Sequence, residues 1–566
     1  MTAATQTLAP QPIEAPADFP VTWEQPGQEM LNWTRDKAHA PHPMAPLEYD
    51  LMFGSFMRGM THAFDKYAVP VEEMGSRRIN TYFYTAMVPL MLPPEEMEAR
   101  GREVEARLFA AMSRVGELWR DELLPEVQSH LDALAAVDLA LLSDADLRDA
   151  VRQAIERGDR LAQIHMEIVF PAYIAVSEFE EMYNELFSPE DKFEAHKLLQ
   201  GLPNKTVEFG HELWRLSRTA RLSPDVIDVL ENESPARVFD ALRETSGGQP
   251  FLADLLAYLE QYGQRSNIWG ICGETWAENP TPVIKNLRDY VKQPDSASPL
   301  LDFDRLGQER EAQVTAARER LQGYPAPMRE QFELMLHAAQ EGIVITEDHG
   351  FYIDAAGLSQ IRRAVLEAGR RLALTSTIES RDDVFRLFAD ELLDALADPA
   401  ATDLADPLAK RRAEMAHFAD VVAPMAVGSM PPGPPPESPM TRLMMKFGGQ
   451  PAAPSAIPNE ISGASGSAGK VVGIARVVHT LDDAARLQPG EILVAETTAP
   501  PWTPLFASAA AVVTDTGGVL SHCAVVAREY AIPAVVGTDI ATVAIEDGQT
   551  IEVDGDAGVV RILGAA

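Results

Sequence analysis

The segment from Ala509 to Gly537, AAAVVTDTGGVLSHCAVVAREYAIPAVVG, leaves few folds open to the residues around it. The apolar run Ala509 to Val513 reads as a buried strand, and a glycine-bearing turn follows. Ser521 stands at the N-cap position of a short helix whose apolar residues run from Ala524 to Ala527 before Arg528 and Glu529. His522 then lies in the first helical turn, where unpaired backbone N–H groups and the positive end of the helix dipole favour an anion. Gly517 and Gly518 let further amides approach, and Thr516 and Ser521 complete a candidate phosphate cradle. A neutral imidazole is a competent nucleophile near pH 7, so the pattern suits transient phosphorylation of His522. The alternative is a cap histidine that only satisfies a local hydrogen bond.

The whole pattern T-x-T-G-G-x-x-S-H-x-A-x-V-A-R-E-x-x-I-P-A-V-V-G resembles the signature of the phosphohistidine mobile domain. That domain is shared by phosphoenolpyruvate (PEP) synthases, pyruvate phosphate dikinases, rifampicin phosphotransferases and phenol-phosphorylating synthases. The resemblance runs through GKVVGIARVV, PGEILVAETTAPPWTPLF and DGQTIEVDGDAGVVRIL, about the last hundred residues. Cys523 departs from the usual Ala or Ser, a mild change that affects oxidation sensitivity rather than chemistry.

Composition limits the remainder. A chain of 566 residues can bury more than one core, and a large N-terminal domain with a small C-terminal one is the natural division. Two cysteines, Cys272 and Cys523, exclude a disulfide framework and fit a reducing compartment. No apolar run is long enough to span a membrane and the start lacks a signal-peptide pattern, so a cytoplasmic location is expected. With 48 basic against 85 acidic residues, a net charge of −37, nucleic acid and anionic membranes are unfavoured partners.

The expected fold is multidomain, α and α/β. Residues 1–30 read as a disordered tail, and 31–427 as a mostly α-helical domain with helical spacing in segments such as LSQIRRAVLEAGRRLALT. Within it a hairpin is possible at GIVITEDHGFYID. Residues 428–458 read as a Pro-rich linker whose nine-residue stretch Pro431–Pro439 would span roughly 28 Å as polyproline II. Residues 459–566 read as a small α/β domain.

By the resemblance, the small domain swivels between a site that charges His522 and one that discharges it. The chain ends soon after this domain, without the PEP-handling barrel of synthases and dikinases, and no ATP-grasp segment is readable before the helical region. The implied arrangement is an acceptor-binding plus histidine unit, charged by an ATP-grasp protein on a separate chain. That partner would bind ATP and Mg²⁺ and release AMP and phosphate, with no metal on this chain. The segment FLADLLAYLEQYGQRSNIWGICGETWAENP is similar to the family's Tyr-Gly-His-Arg and Trp-x-Glu-x-Pro elements through Tyr262, Gly263, Arg265, Trp276, Glu278 and Pro280, with Gln264 at the His position. Transfer to a hydroxyl needs charge neutralisation and a base. Arg265, Arg411 and Arg412 are candidates for the first, with solvated helix arginines as the alternative; Glu278 and His39 are candidates for the second. The clusters LMFGSFMRGM and INTYFYTAM are core or the lining of an apolar pocket, which makes a phenolic acceptor plausible. Two other readings stay open: a phosphocarrier that passes phosphate to another protein, and a PEP-synthase-like fragment.

Overall fold

The computed structural model describes residues 11–399, 402–430, 433, 439–449, 455–480, 483–498 and 502–564. Its spine is a helix of 44 residues, Asp144–Phe187, started by Ser143, whose hydroxyl accepts the Asp146 N–H at 3.2 Å. It ends where Ser188 turns left-handed at φ 43°. The helices Gly54–Lys66, Ala326–His349 and Leu358–Leu374 pack along its buried stripe. Two glycines permit the closest approaches. A Cβ at Gly59 would stand 2.5 Å from the Ala162 carbonyl oxygen, and one at Gly342 2.6 Å from that of Ala172. A second apolar cluster, with Phe209, Trp214, Tyr258, Tyr262, Trp276 and Tyr290, gathers the helices between residues 205 and 292.

The helical region also carries a five-stranded antiparallel sheet. Its order is Pro12–Ile13, Ala426–Ser429, Asn32–Arg35, Tyr82–Pro89, Val71–Ile79. The last two strands form a hairpin turned by Asn80 and Thr81 at φ 47° and 74°, the left-handed pair that matches strand twist. Three expectations are corrected by the structure. The tail 1–30 is built into the fold from residue 11: Pro12 and Ile13 pair with Ser429 and Gly428, and Phe19 is fully buried against Tyr82, Tyr84 and Phe418. The hairpin expected at residues 342–354 is helix, because Met335, Ala339, Gly342, Ile345 and His349 recur at helical spacing against the spine, and that packing overrides β-branched propensity. INTYFYTAM takes the core alternative of its two readings: it belongs to the hairpin of Val71–Ile79 and Tyr82–Pro89 and supplies core residues Ile79, Phe83 and Tyr84. The stretch 428–458 is not linker throughout. Gly428 and Ser429 complete a sheet strand, and Pro439–Gly448 is a helix laid on the spine, with Arg442 Nη2 2.9 Å from Glu178 Oε1 and Lys446 Nζ 3.1 Å from Glu180 Oε2. Most of the run Pro431–Pro439 lies outside the described residues.

The C-terminal residues form an eight-stranded sheet. Its centre is four parallel strands, Lys470–Val478, Ile492–Ala495, Ala511–Thr514 and Ala534–Val536, flanked by antiparallel edges. The three shortest are buried at every residue, as expected of parallel strands covered on both faces. His522–Glu529 and Thr503–Phe506 cover one face and Ala541–Ala544 the other. Among the described residues no helix is long and apolar enough to cross a membrane.

Candidate functional site

Strand Ala511–Thr514 delivers the chain to the glycine turn. Asp515, 4% exposed, ties that turn down by accepting the Thr542 N–H at 3.1 Å and the Thr538 hydroxyl at 3.2 Å. Gly517 adopts φ 98°, which a side chain would strain. Ser521 then occupies the N-cap position of the helix His522–Glu529 without making a capping bond, and its Oγ has no hydrogen-bond partner among the described residues. The first-turn amides of such a helix have no intrahelical carbonyl, so hydroxyl and amides together suit an anion on His522. Two expected members of the cradle do other work. The Thr516 hydroxyl donates to the Glu496 carbonyl at 3.1 Å. Gly518 lies outside the cavity lining, and a Cβ there would strike the Lys446 carbonyl, so this glycine admits the helix Pro439–Gly448. That carbonyl accepts the Leu520 N–H at 3.0 Å, which clamps the turn.

His522 faces the helical region across a cavity of about 600 Å³, within the range of small-molecule sites. Six of the twelve histidines line it: His39, His42, His165, His349, His479 and His522. So do Phe53, Trp269, Trp276, Phe351 and Trp502, an aromatic wall. Phe53, from the cluster LMFGSFMRGM, therefore serves the cavity, whereas Leu51, Met52 and Met57 are core. Burial, then the charge of Arg265, pushes the His522 ring down to about 3, leaving it neutral and nucleophilic at physiological pH. Burial pushes the neighbouring Cys523 thiol up to about 12, so it stays protonated.

Arg265 forms the opposing wall. It is 4% exposed, its guanidinium lies 4.7 Å above the Phe209 ring and 5.9 Å from that of Phe351, and among the described residues no carboxylate pairs with it. A buried cation without a carboxylate is a costly arrangement that an incoming phosphoryl group would relieve. Gln264, where relatives are expected to carry His, does not line the cavity. His39 does. Its Nδ1 lies 2.8 Å from Asp36 Oδ2 and its ring lies 5.1 Å from that of Trp269, tilted by 51°. Burial opposes protonation of His39, but Asp36 outweighs it and the pKa is raised.

The other candidates are not brought to the site. Glu278 is absent from the cavity lining, and Arg362 grips both its oxygens, at 2.9 Å and 3.1 Å. Burial raises its pKa, yet the bonds from Arg362 and Thr275 hold it below the usual range, which is wrong for a base. Arg411 is spent on Glu391 at 2.7 Å and 2.8 Å, and Arg412 on Glu379 at 2.8 Å and Asp383 at 3.2 Å. Neither lines the cavity, because the helix Ala405–Ala419 carries both away from it. Sequence reasoning missed His165, His349, Asp354 and Glu347, all of which line it. Burial pushes the Glu347 carboxyl up to about 7 and the His349 ring down to about 4.

Residues 487–558 match the PEP-utilising enzyme mobile domain, and residues 165–347 match the rifampicin phosphotransferase fourth domain. The chain joins these two domains. Chondramide synthase cmdD of Chondromyces crocatus is 37% identical over 562 residues, 97% of this chain and 14% of that one. The uncharacterized phosphotransferase YvkC of Bacillus subtilis is 27% identical over 539 residues, 94% of this chain and 62% of that one. Rifampicin phosphotransferase of the same organism is 28% identical over 382 residues, 66% and 42% respectively. The chain therefore spans less than two thirds of each of these relatives.

Proposed function

We propose that this chain is a phosphotransferase unit that carries a phosphoryl group on His522 and hands it to the hydroxyl of an apolar, phenolic acceptor. The observation that carries the reading is that His522, Arg265 with no carboxylate partner among the described residues, and His39, itself held by Asp36, line one aromatic cavity. Transfer forms a bond from the acceptor oxygen to phosphorus as the P–N bond breaks. The bonding pair returns to the ring, whose other nitrogen bears the proton that leaves a neutral imidazole. The acceptor proton passes to His39, and Arg265 neutralises the phosphoryl oxygens. Charging of His522 is assigned to an ATP-grasp protein on a separate chain, which converts ATP to AMP and phosphate with Mg²⁺ at its own nucleotide.

Single-turnover discharge of phospho-His522 against phenol, a hydroxylated macrocycle such as rifampicin, and a protein extract tests the reading. Rapid discharge by phenol supports it. Discharge by protein alone favours the phosphocarrier alternative and overturns it.

A further inference from the structure

One side-chain cluster in the cavity has no part in the chemistry above. His165 on the spine helix, with His349 and Asp354 from the end of Ala326–His349 and the turn after it, bring one ring nitrogen each and a carboxylate oxygen within 4.8 Å of one another. The backbone builds this proximity. Five residues at 3.6 per turn would put His349 and Asp354 about 140° apart around an α-helix. Residues Gly350–Gly357 instead wind as a π-helix, whose i→i+5 pattern returns the fifth residue to nearly the same face; such insertions recur at functional sites.

The hydrogen bonds around the cluster fix its orientation. His349 Nδ1 lies 2.8 Å from the Ile345 carbonyl and must donate to it, so Nε2 is the nitrogen with a free electron pair. A ligating histidine ordinarily makes this outer bond. His165 Nδ1 is 2.9 Å from Asp354 Oδ1, and the two imidazoles meet edge to face at 4.6 Å. His165 is 7% exposed and His349 5%, so neither is a solvated surface group. Donor atoms on a tetrahedral ion with bonds near 2.0 Å sit roughly 3.3 Å apart, a spacing that a set already within 4.8 Å approaches.

We propose that His165, His349 and Asp354 hold a divalent transition-metal ion in the acceptor cavity. Two imidazoles and one carboxylate suit Zn²⁺ and similar ions and disfavour Mg²⁺, which prefers oxygen ligands. Three protein ligands leave a coordination position open toward the cavity. An acceptor hydroxyl bound there has its pKa lowered and its oxygen aimed, a role distinct from any Mg²⁺ on a nucleotide-binding partner.

The experiment is calorimetric titration of the chelator-treated full chain with Zn²⁺, repeated with Co²⁺ while visible d–d absorption is followed. The parent is expected to take up one equivalent, with Co²⁺ showing the bands of a low-symmetry site. His349→Ala and Asp354→Asn, each checked for folding by circular dichroism, are expected to weaken uptake by more than about 10-fold, since loss of outer-shell partners alone costs 10- to 100-fold. Asp354→Asn preserves volume and guards against a fold defect in the alanine variant. No uptake by the parent, or uptake unchanged in both variants, overturns the proposal and leaves the cluster a hydrogen-bonded proton relay. Neither result depends on the phosphorylation of His522.

Discussion

Replacing Arg265 with methionine separates a catalytic from a structural reading of that residue. Arg265 is 4% exposed, lies over Phe209 and Phe351, and pairs with no carboxylate among the described residues. The two aromatic faces return about 0.5 to 2 kcal/mol each, against an effective desolvation penalty of several kcal/mol for a buried ion. Desolvation wins, as the lowered guanidinium pKa also indicates. Arg265→Met keeps the apolar stem and removes the charge, so its melting temperature should equal or exceed that of the parent. Transfer from phospho-His522 should nevertheless fall about 10²- to 10³-fold, or roughly 2.7 to 4 kcal/mol, the cost of deleting one preorganised charge-stabilising donor. Single-turnover transfer to phenol measures the rate, and a scanning melt measures stability. NMR titration of His522 should also show its pKa rising from about 3 while staying below the ordinary value, because burial is the larger cause and Arg265 the smaller. A variant that transfers at the parental rate, or loses stability in step with activity, refutes the reasoning.

Further outcomes follow from other contacts. His39→Asn should slow transfer by about 10²- to 10⁴-fold without changing the amount of phospho-His522 formed, as quench-flow analysis would show. Glu278→Ala strands the buried Arg362 and should cost about 3 to 5 kcal/mol in denaturant melts, with transfer per folded molecule intact. Glu48, 9% exposed, has its carboxyl pushed up to about 7 by burial. A raised carboxyl pKa means the folded state holds the proton more tightly, so this stability is present below about pH 4.5 and lost as pH rises through 7. Glu48→Gln should therefore stabilise the protein at pH 8 by up to about 3 kcal/mol and flatten its melting temperature against pH. Gly518→Ala, which drives a methyl into the Lys446 carbonyl, should lower phosphorylation of His522 more than it lowers the melting temperature.

The histidine turn was legible because its information is local. A strand, a glycine turn, a serine at the N-cap position and an apolar helix face occupy one short window. The structure forms the strand, the left-handed Gly517 and the helix in that order, whereas Gly518 and Thr516 do other work than the cradle expected of them. Arg265 was legible only through its resemblance to a family element. The cluster of His165, His349 and Asp354 was not legible, since residues far apart in the chain meet through helix packing and a π-helical turn that β-branched neighbours disguised as a hairpin. The hairpin at Asn80–Thr81 was missed for a related reason. Its aromatic residues, Tyr82, Phe83 and Tyr84, read equally well as a pocket lining, and the left-handed turn that decides the matter carries no glycine. Arg411 and Arg412 show the reverse error, in which charge type suggested phosphate while tertiary neighbours had already neutralised both.

The central claim is that His522 carries the phosphoryl group. Incubation of the full chain with an ATP-grasp partner and ATP labelled at the β and γ positions, followed by intact-mass and peptide analysis, tests it directly. One acid-labile, base-stable phosphoryl group on His522 is predicted, and none on His522→Ala. Undiminished labelling of His522→Ala would contradict the account.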